Sequence, residues 1–192
     1  YSEVGAAGGY HILKERILPP ITFSENEAKA IFFACQALQF YHDLPFEQET
    51  ISVLKKFLNC LPLDIQNSIT QIQNKVVFWI PDRHCNSPFL KSMFHVIINR
   101  HSATIRYSST HSESVRTIIP IGLYAMNGLW YCPAYCTAVN QIREFRIDRI
   151  KEIIEEKPYP KGEYPIPTSI QEYLEKLEVG NDYHIKIQLT DI

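Results

Sequence analysis

Arginine and aromatic side chains crowd one part of this 192-residue sequence, where Arg106, Arg116, Arg143, Arg146 and Arg149 are interleaved with Tyr107, Tyr131 and Phe145. A guanidinium group forks onto phosphate oxygens and stacks on planar rings, while an aromatic face stacks on a base with little regard to its identity. Short strands presenting both on one surface suit a nucleotide or a short single strand of nucleic acid. The same residues fit a second arrangement, in which Arg146 and Arg149 pair with Glu144 and Asp148 and the rings belong to the core. The residues by themselves leave both open.

Other chemistries fit less well. The sequence holds seven His and five Cys, but Cys132 and Cys136 fall on one face of an expected strand. Fully extended, they stand about 13 Å apart, too far to share one ion. His84-Cys85 has no second pair at ligand spacing, and His95 and His101 match no helical face. No metal site and no cofactor is expected. Motifs for a serine nucleophile, a zinc helix or a phosphate loop do not occur. Gly5-Ala6-Ala7-Gly8-Gly9 neither follows an expected strand nor opens a helix, so it forms no phosphate cradle. A thiol nucleophile at Cys85 with His84 or His111 is the enzymatic alternative; the expectation is no enzyme.

Composition narrows the class. Hydrophobic residues make up 45% and charged residues 21%, with net charge −2, which excludes a disordered tail, a collagen-like rod and a generally basic coat. Five cysteines in a chain able to fold without staples point to a reducing compartment, and no run reaches the length of a spanning helix. A cytoplasmic location is expected. The sequence lacks an initiator Met, so it reads as a piece of a longer protein. Charge is uneven, with net −1 over 1–97, +4 over 98–151 and −5 over 152–192. A basic middle is where an anion would be held.

The elements that must position these residues change period along the chain. Ser24 and Glu27 form a capping box, and Ala28, Ile31, Cys35 and Leu38 predict a helix ending near Tyr41. Leu54, Phe57, Leu58 and Leu61 mark a second helix closed by Pro62, and Ile65, Ile69 and Ile72 a third over about 64–75. Val76 to Ile80 is a β-prone run. Ser87-Pro88 opens a helix with Leu90, Met93, Phe94 and Ile97 on one side. Beyond Ser102 the period becomes two: strands are expected over 104–108, 115–124, 129–136 and 142–147, with Asn127-Gly128 as a hairpin turn. The fold class is α+β, a helical part followed by a small β-barrel. A proline-rich linker over 158–167, a helix near 169–177 and a strand near 182–189 complete the chain.

These residues also carry a resemblance. Ile105-Arg106-Tyr107, then Arg116-x-x-x-Pro120-x-Gly122-Leu123, Asn127-Gly128-Leu129-Trp130-Tyr131-Cys132-x-Ala134-Tyr135-Cys136 and Arg143-x-Phe145-Arg146-x-Asp148-Arg149-Ile150 together resemble the WYL domain of bacterial transcriptional regulators. Gly5 to Tyr10 with Leu18-Pro19-Pro20 is similar to the wing and exit of a DeoR-type winged helix. The resemblance implies a wing remnant over 1–20, a helical connector over 21–80, a WYL barrel of the Sm-like, Src-homology type over 81–157, and a linker with the start of a C-terminal extension over 158–192. It implies effector sensing, with a nucleotide or nucleic-acid fragment as ligand, operator DNA bound through a helix-turn-helix absent from this sequence, and a homodimer in the full-length protein. Carried over by position, Tyr107, Arg116, Tyr131, Arg143, Phe145, Arg146 and Arg149 would form the ligand site, and Gly8, Gly9 and Tyr10 would touch DNA. Cys132 replaces the leucine of the family's name, and Ser108 stands where an arginine often follows the tyrosine. The competing class is a structural or dimerisation module in which the arginines only brace the barrel.

Overall fold

The computed structural model describes residues 21–41, 43–110, 112–159 and 164–179. Four helices lead into six strands and a final helix: α1 (Glu25–Leu38), α2 (Glu47–Cys60), α3 (Leu63–Gln73), α4 (Leu90–Ile98), β1 (His101–Ser108), β2 (Glu113–Pro120), β3 (Tyr124–Met126), β4 (Leu129–Cys136), β5 (Gln141–Arg146), a 3-10 turn (Ile147–Arg149), β6 (Ile150–Pro158) and α5 (Ile170–Val179). The residues 1–20 and the run 182–189 lie outside this description, so the wing, with Gly8, Gly9 and Tyr10, and the last expected strand lie outside it too.

Helices α1 to α3 form a small satellite core around Phe32, Leu54 and Ile69, with Cys35, Leu58, Leu61 and Ile65 against it. The Ser24 capping box closes α1 as the spacing requires. Its buried face is Ala28, Phe32 and Gln36, rotated from the expected Ala28, Ile31, Cys35, Leu38 stripe. Both stripes have helical spacing, and the larger apolar area of Phe32 decides between them. Val76 to Ile80 is extended but joins no ladder, and Trp79 there is 78% exposed.

Every strand pairing is antiparallel. Strand β4 carries β5 on one edge, and β2 and β3 share the other, β2 along Ala134 to Cys136 and β3 along Leu129 to Tyr131. The ladder then runs from β2 to β1 to β6. Consecutive strands β5 and β6 therefore sit at opposite edges, yet only the 3-10 turn separates them. A flat sheet of five strands would hold its edges roughly 19 Å apart, while three 3-10 residues advance about 6 Å, so the sheet must curl strongly. The expected Sm-like barrel is corrected accordingly: the sheet is open, and among the described residues no ladder joins β5 to β1 or β6. A hydrogen bond from the Arg146 backbone N–H to the Tyr107 hydroxyl at 3.2 Å links β5 to β1 across the curl.

Inside the curl, Leu90, Met93 and Val96 of α4 pack on Ala103, Ile105, Ile118, Cys132, Ala134, Phe145, Ile147 and Ile150. Strand β4 is buried on both sides from Cys132 to Cys136 because α4 covers its inner side while the Tyr164 ring packs on Tyr135 outside, centroids 5.4 Å apart. The 115–124 run divides at Pro120 into β2 and β3. Strand β6 was not expected as a strand at all. Its Lys-Glu-rich stretch has no period-two apolar signal, since it is an edge whose exposed charges discourage further pairing.

The hairpin turn at Asn127-Gly128 also joins the helical part to the sheet. Gly128 adopts φ +78°, and a Cβ placed there would lie 2.4 Å from the Pro81 carbonyl oxygen. Arg83 Nε donates to the Asn127 carbonyl at 3.1 Å, and the Tyr41 and Trp130 rings meet at 5.9 Å. Gly128→Ala meets both a left-handed backbone and a backbone clash, so it is expected to cost about 2 kcal/mol or more. Urea denaturation measures this, and an unchanged midpoint would contradict the close approach.

Two residues before helix α5, Thr168 donates from both its N–H and its hydroxyl to Glu172 Oε2, while Lys176 donates to Oε1. The Lys176 hydrogen bond first, then those from Thr168, hold the Glu172 carboxyl down at about 2. A depressed acid stabilises the fold above its ordinary value and loses that effect as the pH falls through the folded one. The capped start of α5 should therefore loosen between pH 4.5 and about 2. The Tyr173 ring resonances report this, and the step should vanish in Glu172→Gln.

Candidate functional site

Strand alternation sorts the arginines. In β1 and β2 the register sets Ile105 opposite Arg116 and Tyr107 opposite Ser114, so Ser114 and Arg116 share the inner face with Tyr107 and the buried Ile105. In β5, Arg143 pairs with Ala134 and Phe145 with Cys132, and both partners belong to the inner core. Arg116 and Arg143 thus both lie on the inner side of the curl. They line a recess of about 280 Å³ with Tyr107, Phe145, Cys136, Val139, Glu144 and the serines 109, 112 and 114.

Among the described residues neither arginine is hydrogen-bonded to a carboxylate. Arg116 Nε donates to Ser114 Oγ at 3.2 Å, and Arg143 Nη2 donates to Gln141 Oε1 at 3.2 Å. Among the described residues neither forms an ion pair. The turn between β1 and β2 makes the rim, held by Ser109, whose hydroxyl donates to the Ser112 carbonyl at 2.9 Å and accepts from the Ser112 N–H at 3.1 Å. Tyr107 meets Phe145 edge to face, centroids 5.1 Å apart and planes at 85°. Its hydroxyl is already engaged by Arg146 N–H, so the ring is a fixed wall.

The remaining residues named from the sequence lie elsewhere. Arg146 and Tyr131 are register partners on the other face of β5 and β4, so the structure does not bring them together with Arg116 and Arg143. The physical reason is the period of two: 143 and 145 face inward, hence 146 faces outward. There Arg146 grips Asp148 through Nε at 3.1 Å and Nη2 at 2.7 Å, and this hydrogen bonding raises its already high pKa. Tyr131 stacks on Tyr124 at 5.2 Å. Arg106, also outward, reaches Glu152 at 3.1 Å and Glu113 at 3.8 Å. Arg149 sits on the 3-10 turn outside the recess lining.

Glu144, at the free edge of β5, turns its carboxylate outward. Its Oε1 accepts from the hydroxyls of Tyr124 and of Tyr173 in α5, the latter at 3.4 Å. Burial, then Glu144, raises the Tyr124 pKa, so that hydroxyl stays a donor. Burial alone pushes the Cys132 thiol up to about 12, which makes it an inert core group. All five cysteines are free. The Cys85 thiol donates to the Arg83 carbonyl at 3.1 Å while His84 Nδ1 lies 3.2 Å from Asp82, so that pair forms no dyad; His111 lies outside the described residues. Among the described residues no three His, Cys, Asp or Glu side chains gather as metal ligands would.

Sequence reading missed Ser112, Ser114, Gln141 and Val139. The signal for two of them was present: stepping back two residues along a strand from Arg116 and Arg143 lands on Ser114 and Gln141. Because the Tyr107 hydroxyl joins β1 to β5, Tyr107→Phe leaves the Arg146 N–H without its acceptor and should cost about 1 kcal/mol in urea denaturation. Phe145→Ala, emptying a core position, should cost about 3–5 kcal/mol. A Phe145 loss no larger than the Tyr107 loss would place that ring outside the core.

Comparison with known proteins bears on the sheet. No curated protein matches the chain. A solved structure, proteasome accessory factor B/C (PafBC) of Arthrobacter aurescens, is similar at 21% identity and a TM-score of 0.35, over 79% of this chain and 22% of that one. The chain thus spans about a fifth of that protein's length. Residues 88–155 match the WYL domain model, a stretch running from the turn before α4 into β6 and holding both recess arginines. That segment of the chain is similar to a WYL domain.

Proposed function

We propose that the recess binds an anionic ligand carrying a planar ring, a nucleotide or the end of a short single strand of nucleic acid. On this reading the chain is the sensing part of a transcriptional regulator, and its action is binding rather than catalysis. The observation that carries it is the pairing of Arg116 and Arg143, both free of carboxylates, across one recess with Tyr107 and Phe145. Four of the five N–H donors on each guanidinium remain for a ligand. The volume of about 280 Å³ is at the small end for ligand pockets, which suits one nucleotide-sized group at a time.

The helical part would carry the response. It meets the sheet at the β3–β4 hairpin, through Arg83 and Asn127, Tyr41 and Trp130, and through Asp43, whose carboxylate accepts from the Ser87 N–H before α4. In the whole protein this connector would join the sensor to a DNA-binding part. A ligand alters that relay only by favouring one arrangement of sheet and helices over another. The bracing alternative fits Arg106 and Arg146, which are locked to Glu152 and Asp148, but not the two recess arginines.

Fluorescence anisotropy with labelled hexathymidylate and competition by nucleoside monophosphates test the proposal. Binding should weaken with salt, and Arg116→Ala or Arg143→Ala should each lose about tenfold or more in affinity. Arg106→Ala and Arg146→Ala should stay within about twofold, since their charges are already neutralised. Equal losses from all four, or no binding by the unaltered chain, would overturn the reading.

A further inference from the structure

The four arginines on β1, β2 and β5 are held in two different ways. On the outer face Arg106 and Arg146 are held by carboxylates, Glu152 and Asp148. On the inner face Arg116 and Arg143 are held by neutral oxygens, and each partner stands two residues earlier on the same strand and the same face: Ser114 before Arg116, Gln141 before Arg143. Arg146 and Asp148 have the same separation in sequence, with the carboxylate following its arginine on the 3-10 turn and accepting from both Nε and Nη2. A carboxylate partner orients a guanidinium and cancels its charge. A hydroxyl or amide oxygen orients it and leaves the charge whole.

We propose that Ser114 and Gln141 are positioning residues that set the recess for an anion by aiming Arg116 and Arg143 with uncharged acceptors. This deepens the sensing function proposed above and rests on it for the ligand class. Ser114 occupies the Nε–H of Arg116, which leaves the paired Nη1 and Nη2 groups as the fork that a phosphate meets. Gln141 takes one Nη2 hydrogen of Arg143 and leaves Nε and Nη1. A carboxylate at either position would capture the arginine as Asp148 captures Arg146. Anion binding would then be switched off with both arginines still present.

Gln141→Glu tests this with almost no change of shape, and Ser114→Asp repeats the test on the other strand. With hexathymidylate, Gln141→Glu should lose about tenfold in affinity, and the slope of log K against log salt should shrink by about 0.7, the amount expected for one lost phosphate contact on a single strand. Gln141→Ala should lose only about twofold to fourfold with the slope kept, because one neutral hydrogen bond is removed and no charge is cancelled. A role confined to folding would move the two variants together and leave the slope alone.

A second measurement needs no ligand. Phenylglyoxal attacks the unprotonated guanidine, whose population falls about tenfold for each unit by which a carboxylate raises the pKa. Peptide mass mapping should show Arg143 modified several times more slowly in Gln141→Glu than in the unaltered chain, and Arg116 likewise in Ser114→Asp. If the unaltered chain binds no oligonucleotide but these rates fall, the ligand class is wrong and the positioning stands. If the rates do not change, or if they fall while oligonucleotide affinity and slope stay intact, the positioning inference is overturned.

Discussion

Burial of one face of α4 inside the curled sheet determines which side of every strand faces inward, and the candidate site follows from that. Leu90, Met93 and Val96 need an apolar surface, and the sheet supplies it from Ala103, Ile105, Ile118, Cys132, Ala134 and Phe145. Once Ile105 and Ile118 face α4, period-two geometry makes Tyr107, Ser114 and Arg116 face the same way. Once Phe145 is inward, Arg143 is inward and Arg146 is not. A register slip of one residue would reverse each assignment, and it would also expose the core, which is why it does not occur.

Sorting by face has an electrostatic consequence. Exposed ion pairs such as Arg106 with Glu152 add little stability, in the range of about 0–1 kcal/mol. Their larger effect is to remove two charges that would otherwise compete for an anion. The recess arginines keep theirs, because the one carboxylate on the recess lining among the described residues, that of Glu144, is drawn to Tyr124 and Tyr173 on the far side. Glu144 thereby ties β5 to α5, so the strand that carries Arg143 inward is held from outside by the last helix.

The sheet and the helical part meet over a small area with little tolerance. At Gly128 the Pro81 carbonyl lies where any side chain would begin, and Trp130 next to it packs on Tyr41. Among the described residues Trp130 Nε1 is buried without a hydrogen-bond partner, as is Gln36 Oε1 in α1. Unpaired buried polar atoms are costly in a settled interior.

Much of the architecture was legible in the residues: the Ser24 cap, the helices closed by Pro62 and opened at Ser87-Pro88, the switch to period two, and the Asn127-Gly128 turn. Each is a local rule acting within a few residues of chain. The inward face of α1 was misjudged because two stripes have helical spacing and only packing against α2 and α3 chooses between them. Strand β6 was missed because its pairing with β1, some fifty residues away in sequence, leaves no trace in an exposed, charged edge. The sequence alone determined that cationic and aromatic groups would be dense along these strands. Which of them meet was decided by tertiary structure, since the facing of one strand depends on partners far along the chain and the charge left on an arginine depends on the acceptor beside it in space.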